Sequence, residues 1–251
     1  MIKAIKIKGY KIEYWHKGKG PTLFFFHGAF GSFRFYMRLL NILSSKYSVY
    51  APSLPGMGKS ESPQGEPSFQ MYAEIIHEFI NKFSNNNKYL LMGHSLGAAI
   101  IVYLDKLHKI NPEQIILLNV PILKVKNYIH RTAVGWTSLI ISHLLNIRKL
   151  KFSEIIPWDA INIVFFRTKD FFKIITALKK AGELQKSVRG QGKSSNYQIF
   201  TSSDDKYVLP ENSEVLHKET KNSKLCKVSR GGHVWFMYNP EKLLRELEVK
   251  L

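Results

Sequence analysis

Cysteine is almost absent: Cys226 is the only one in 251 residues. No intrachain disulfide can form, and no cysteine-based metal cluster can be built. That economy points to a reducing compartment, and the expected location is cytoplasmic. Acidic residues are also scarce, with 19 Asp+Glu against 37 Lys+Arg, a formal net charge of +18 and a pI near 9.8. Such a field favours anionic partners. The lysines are scattered rather than blocked, however, and no nucleic-acid-binding module accompanies them, so no specific nucleic-acid partner is expected.

Long apolar runs are missing too. The opening stretch alternates Ile with Lys, where a secretory signal needs a continuous apolar core. The best candidate for a membrane span, Ala133 to Ile147, is broken by Ser142, His143 and Asn146. It is too short for a hydrocarbon layer of about 30 Å. No internal repeat is visible. Gly56-x-Gly58-Lys59-Ser60 resembles the end of a phosphate loop but lacks the upstream glycine at the required spacing. No cofactor and no metal are expected.

What remains is ordinary globular composition, 45% hydrophobic and 22% charged. It excludes disorder, collagen and a stapled mini-protein, and the length suits one large domain or a domain with an insertion. Ile5, Ile7, Tyr10, Ile12 and Tyr14 alternate with polar residues around Gly9, which predicts a hairpin with one buried face. Thr22 to Phe26 reads as a strand buried on both faces. Helix, strand and helix follow over Phe33 to Leu43, Tyr47 to Ala51 and Phe69 to Phe83. A strand over Tyr89 to Met92, a helix over Gly97 to His108 and a strand over Gln114 to Val120 complete the first run. This alternation predicts an α/β fold, a mostly parallel sheet with helices on both faces. The rhythm stops over Ile122 to Asn196 and resumes with strands at Tyr197 to Thr201 and Leu225 to Ser229 and helices at Glu211 to Lys218 and Pro240 to Leu251. The expected organisation is a core in two parts, 1–121 and 195–251, with a helical insertion at 122–194.

Gly93-His94-Ser95-Leu96-Gly97 lies between a predicted strand and a predicted helix and fits G-x-S-x-G. Glycines at both flanks remove the Cβ clashes that a sharp strand-to-helix turn creates. The helix N-terminus then points its dipole at the serine. A serine hydroxyl needs a base to act as a nucleophile near neutral pH. Of nine histidines, His233 follows Gly231 and Gly232 just after the last predicted strand. Ligands and catalytic groups in open α/β sheets gather at such strand ends. A third group must orient that base, and Asp204 and Asp205 both follow the strand at Tyr197 to Thr201. Turn formation alone would also explain two aspartates there.

Taken with three further motifs, this pattern resembles the α/β-hydrolase superfamily, in its esterase and lysophospholipase-like branch with an inserted cap. His27-Gly28-Ala29-Phe30-Gly31-Ser32 resembles the family's oxyanion loop. Pro55-Gly56-Met57-Gly58-Lys59-Ser60 resembles its P-G-x-G-x-S loop, and Gly232-His233 its histidine loop. The resemblance spans the whole chain except the insertion. It implies a catalytic triad of Ser95, Asp205 and His233. Ser202 stands where the family's acid motif has glycine, so Asp204 remains an alternative. Ser53 stands where relatives often carry Asp, and Asn119 occupies the acid position that some relatives use. The implied oxyanion donors are the backbone N–H groups of Leu96 and Ala29, with Phe30 competing for the second place. Phe30, His94 and Trp136 are expected to line the substrate site.

The resemblance makes residues 122–194 a lid over Ser95. That segment holds 14 Lys+Arg and 4 Asp+Glu, a net of +10, with Trp136, Trp158 and several phenylalanines. Packing onto the core explains its apolar stripe. A basic, aromatic-rich face would also suit transient contact with an anionic membrane surface. The expected substrate is a small-molecule carboxylic ester with an acyl chain, such as a monoacylglycerol or lysophospholipid. A C–C bond hydrolase acting on a β-diketone would use the same triad, with Arg34 or Arg131 holding a substrate carboxylate. A non-catalytic binding protein is the third reading.

Overall fold

The computed structural model describes residues 1–65, 67–84, 88–107, 109–123 and 196–247. The predicted hairpin is there: β1 (Ile2–Ile7) pairs antiparallel with β2 (Tyr10–Lys17). Next come β3 (Thr22–Phe26), a 3-10 turn at Phe33–Tyr36, α1 (Met37–Leu43), β4 (Ser48–Pro52) and α2 (Phe69–Ser84). The next elements are β5 (Tyr89–His94), α3 (Leu96–Lys106) and β6 (Gln114–Leu118). From residue 196 onward come β7 (Tyr197–Ser202), α4 (Glu211–Glu219), β8 (Ser223–Val228), α5 (Trp235–Tyr238) and α6 (Pro240–Glu246).

The strands form one sheet in the order β1-β2-β4-β3-β5-β6-β7-β8, parallel from β4 to β8. Alternate residues of the central strands feed two separate cores. Phe24, Phe26, Leu91, Ile115 and Leu117 pack with α2 and α3 on one face. Leu23, Phe25, Leu90, Met92, Ile116 and Leu118 pack with α1, α5 and α6 on the other. This two-sided burial is why these strands read as continuous apolar runs. Helix α2 buries Tyr72, Ala73, Ile76, Phe79 and Ile80, one face at helical spacing. The Ser68 hydroxyl caps it by accepting from the Met71 amide at 3.0 Å.

Several boundaries shift by one or two residues from the sequence expectation, and two of the differences bear on the site. The first turn of the helix expected over Phe33 to Leu43 is 3-10, with Ser32 Oγ accepting from the Arg34 amide. The strand expected to reach Val120 stops at Leu118, because Asn119 takes a left-handed backbone conformation (φ 48°). Strands β6 and β7 are adjacent and parallel, so residues 119–196 form the crossover between them. It departs from the end of β6 beside Ser95, whose N–H donates to the Leu118 carbonyl at 3.0 Å. Asn212 Oδ1 holds that departure by accepting from the amides of Ile122 and Leu123. The expected insertion, and with it Trp136 and Arg131, lies outside the described residues.

Candidate active site

Ser95 sits where β5 ends and α3 begins, with φ 49° and ψ −114°. A non-glycine residue there carries strain of about 1–3 kcal/mol, which the surrounding structure must hold in place. Its carbonyl accepts the first bond of α3, from Ala99. Gly97 is required by closeness: a Cβ there would lie 2.3 Å from the Phe26 carbonyl oxygen. The helix therefore starts directly against the end of β3, where the loop beginning at His27 departs.

That loop is clamped over Ser95. A Cβ on Gly28 would lie 2.8 Å from His94 Nδ1 and 3.3 Å from Ser95 Cβ. The fully buried His27 takes the Leu54 amide on Nε2 at 2.9 Å, so its proton is on Nδ1, which donates to the Gly28 carbonyl at 2.7 Å. The Gly28 N–H donates to Tyr36 Oη at 3.1 Å. Both sides of Gly28 are thus held, and its carbonyl bond fixes the peptide plane that carries the Ala29 N–H. Among the described residues, no hydrogen bond engages the Ala29 amide or the Leu96 amide. Phe30, the other expected donor, has φ 62° and packs into the core with Leu54 and Met57.

His233 follows Gly232 in a short 3-10 turn after β8. Its Nδ1 is 2.7 Å from Asp205 Oδ2, and the Asp205 side chain is completely buried. The other oxygen of Asp205 accepts from the amides of Tyr207 and Val208, at 2.8 and 3.0 Å. A carboxylate at Nδ1 keeps the proton there and leaves Nε2 as the ring's acceptor. The Tyr207 ring packs against the imidazole, with centroids 4.9 Å apart. Asp204 does different work: it accepts from Ser202 Oγ at 2.6 Å and from the amides of Gly231 and Gly232. Burial raises its pKa, but these donors outweigh that and hold the carboxyl below its usual range. The structure therefore brings Asp205, not Asp204, to the histidine side chain. No hydrogen bond joins Ser95 to His233 among the described residues.

His94, expected against the substrate, has both ring nitrogens bonded within the protein. Nδ1 lies 2.7 Å from Tyr36 Oη and Nε2 lies 3.1 Å from the His233 carbonyl, leaving neither for a substrate. Asn119 fills its position as a brace rather than an acid. Its Nδ2 donates to the same His233 carbonyl at 2.6 Å, and its Oδ1 accepts from the Ser202 amide. Tyr36 and Tyr207 are the site-supporting residues that sequence reasoning missed, because each sits in an unremarkable apolar or turn-forming stretch; Asp204 and Asn119 were weighed only as acids, and the structure uses both as braces. Ser53, which replaces the frequent Asp, is buried, and its Oγ has no hydrogen bond. The loop it begins is held instead by Glu13, whose backbone N–H donates to Ser60 Oγ at 3.0 Å while its carboxylate accepts bidentately from Arg34 at 2.6 and 2.7 Å. Among the described residues no cluster of side chains suits a metal ion, and no helix is long and apolar enough to cross a membrane.

Known proteins agree with this architecture. The family model of the α/β-hydrolase fold matches residues 21–121. A soluble epoxide hydrolase of Corynebacterium sp. (strain C12) is 23% identical over 168 residues, covering 61% of this chain and 58% of that protein. A 2-(acetamidomethylene)succinate hydrolase of Mesorhizobium japonicum is 33% identical over 82 residues, or 33% of this chain and 29% of that protein. The chain thus spans less than two thirds of these curated relatives. The structure of an esterase from Exiguobacterium antarcticum superposes with a TM-score of 0.77 at 19% identity, over 98% of this chain and 97% of that one. A family-model match that runs through β3, β5 and α3, on a fold shared along nearly the whole chain, shows that this protein has the α/β-hydrolase fold.

Proposed function

We propose that the protein is a serine hydrolase that cleaves a carboxylic ester through Ser95, His233 and Asp205. The observation that carries the reading is the 2.7 Å contact between His233 Nδ1 and the buried Asp205, in a loop tied to the strand end that presents Ser95. His233 Nε2 takes the Ser95 proton as Oγ attacks the carbonyl carbon. The amides of Leu96 and Ala29 receive the oxyanion, and one such donor is worth about 3–4 kcal/mol. The tetrahedral intermediate collapses, His233 returns the proton to the leaving alcohol, and the acyl group stays on Ser95. Water, deprotonated by His233, attacks the acyl carbonyl, and His233 returns that proton to Ser95 Oγ as the acid is released.

The substrate is an acyl ester of the monoacylglycerol or lysophospholipid type, with residues 122–194 as its cap. Support for the cap comes from its basic, aromatic-rich sequence and from the point beside Ser95 where the chain leaves β6. The same face would give transient contact with an anionic membrane surface. A C–C bond hydrolase is less well supported, since Arg34 is bidentate on Glu13 rather than turned to a substrate carboxylate.

Hydrolysis of p-nitrophenyl esters from acetyl to palmitoyl, with Ser95→Ala beside the wild type, tests the reading. Turnover that disappears in the variant supports it, and the preferred chain length sizes the acyl pocket. A wild type that neither hydrolyses any ester nor reacts with a fluorophosphonate would overturn it.

A further inference from the structure

The oxyanion loop and the histidine loop come from opposite ends of the chain, yet an unbroken line of hydrogen bonds joins them. The Gly28 N–H donates to Tyr36 Oη, and Tyr36 Oη lies 2.7 Å from His94 Nδ1. His94 Nε2 lies 3.1 Å from the His233 carbonyl. A carbonyl can only accept, so Nε2 carries the proton, and in the neutral ring Nδ1 accepts from the tyrosine. Each group in the line therefore has one compatible direction. Phe236 encloses it, stacked on Tyr36 at 6.1 Å and edge-on to His94 at 4.9 Å. Tyr36 and His94 are 5% and 3% exposed, so water does not compete for these bonds.

We propose that Tyr36 and His94 form a positioning unit that sets the oxyanion loop and the His233 loop in register across Ser95. The unit touches no reacting atom. It acts at one end through Gly28, next to the Ala29 amide, and at the other through the main chain of His233. Asn119 braces the same carbonyl independently, so the loop stays folded when His94 is changed while its fine placement is lost. Burial, together with the neighbouring His233 and His27, holds the His94 pKa well below 6.5, which keeps the ring in the neutral state that the line of bonds needs.

The unit rests on the serine-hydrolase reading, and the experiment separates the two. The rate of fluorophosphonate labelling, kcat and KM for a p-nitrophenyl ester, and the melting temperature are measured for wild type, Ser95→Ala, Tyr36→Phe, His94→Ala, His94→Gln and the double variant Tyr36→Phe/His94→Ala. We expect Tyr36→Phe and His94→Ala to lower kcat and the labelling rate about 10- to 100-fold, with KM changed less than about threefold, as for slight misplacement of reacting groups. His94→Gln restores a donor for the His233 carbonyl and recovers part of the loss. The double variant is no worse than His94→Ala alone, because the tyrosine acts through the histidine. If His94→Ala does not fold, Tyr36→Phe and His94→Gln read the same effect. Variants that label and turn over like wild type, or losses that multiply in the double variant, overturn the unit alone. A wild type that labels no faster than Ser95→Ala overturns the serine-hydrolase reading, and the unit falls with it.

Discussion

Asp204 and Asp205 are chain neighbours that grip one loop at different points. Asp205 takes the imidazole of His233 through Oδ2, while Asp204 takes the amides of Gly231 and Gly232 that lead up to it. One side chain orients the ring and the other anchors its backbone. The two substitutions Asp205→Asn and Asp204→Asn should therefore behave differently. We expect Asp205→Asn to lower kcat about 10³- to 10⁴-fold, since an amide favours the wrong tautomer of His233. Asp204→Asn should cost far less, about tenfold, because it moves the loop without changing the tautomer. Steady-state ester hydrolysis measures both, and equal losses would contradict the division of roles.

The anchoring role has a pH signature. Donors from Ser202, Gly231 and Gly232 hold Asp204 below the ordinary aspartate value of 3.8, despite burial that raises it. A depressed carboxylate stabilises the fold fully above the unfolded pKa, and that contribution is lost as pH falls through the folded pKa. The stability gap between wild type and Asp204→Asn should thus be constant above about pH 5 and shrink on acidification below pH 4. Denaturant melts across that range measure it, and a gap that widened in acid would reverse the sign.

Backbone strain at Ser95 should appear as a stability difference between two variants of that residue. Alanine retains the unfavourable φ of 49°, whereas glycine tolerates it. Strain relief of about 1–3 kcal/mol, less about 0.5–1 kcal/mol for glycine's extra unfolded-state entropy, leaves Ser95→Gly more stable than Ser95→Ala by about 1 kcal/mol. Chemical denaturation of both proteins reads the difference directly.

Glu13 holds the loop between Ser53 and Ser60 as well as Arg34. Burial would raise its carboxyl, but the hydrogen bonds and charge of Arg34 prevail and lower it. Replacing it with Gln leaves the guanidinium without its carboxylate and the Lys59 amide with a weaker acceptor. We expect Glu13→Gln to cost about 1.5–3 kcal/mol, the range for hydrogen bonds to charged groups. A thermal melt unchanged from wild type would show that the pair is replaceable.

The sheet was legible from the chain alone because burial on both faces leaves a local trace. Thr22 to Phe26 and Tyr89 to Met92 have no polar alternation to confuse them with half-exposed strands. The elbow at Ser95 was legible for a related reason: close approach demands glycine, and the clash at Gly97 against Phe26 is written into the sequence as a missing side chain. His233 and the pair Asp204–Asp205 stood out because glycine and aspartate after a strand are local signals.

Which aspartate meets His233 was not local. Both residues follow the same strand, and only the path of the loop after β8 sends one carboxylate to the ring and the other to the main chain. The same holds for Tyr36 and Asn119. A tyrosine at a helix start and an asparagine at a strand end carry no signature of the bonds they make. Their partners, His94 and His233, lie far away in sequence and are brought there by the order of strands in the sheet. Sequence determined the elements, their burial and the residue types at the strand ends, because these follow from short-range sterics and hydrophobic periodicity. Tertiary structure alone decided the pairing, because a hydrogen bond depends on where two loops arrive in space, and that is set by the packing of the whole sheet.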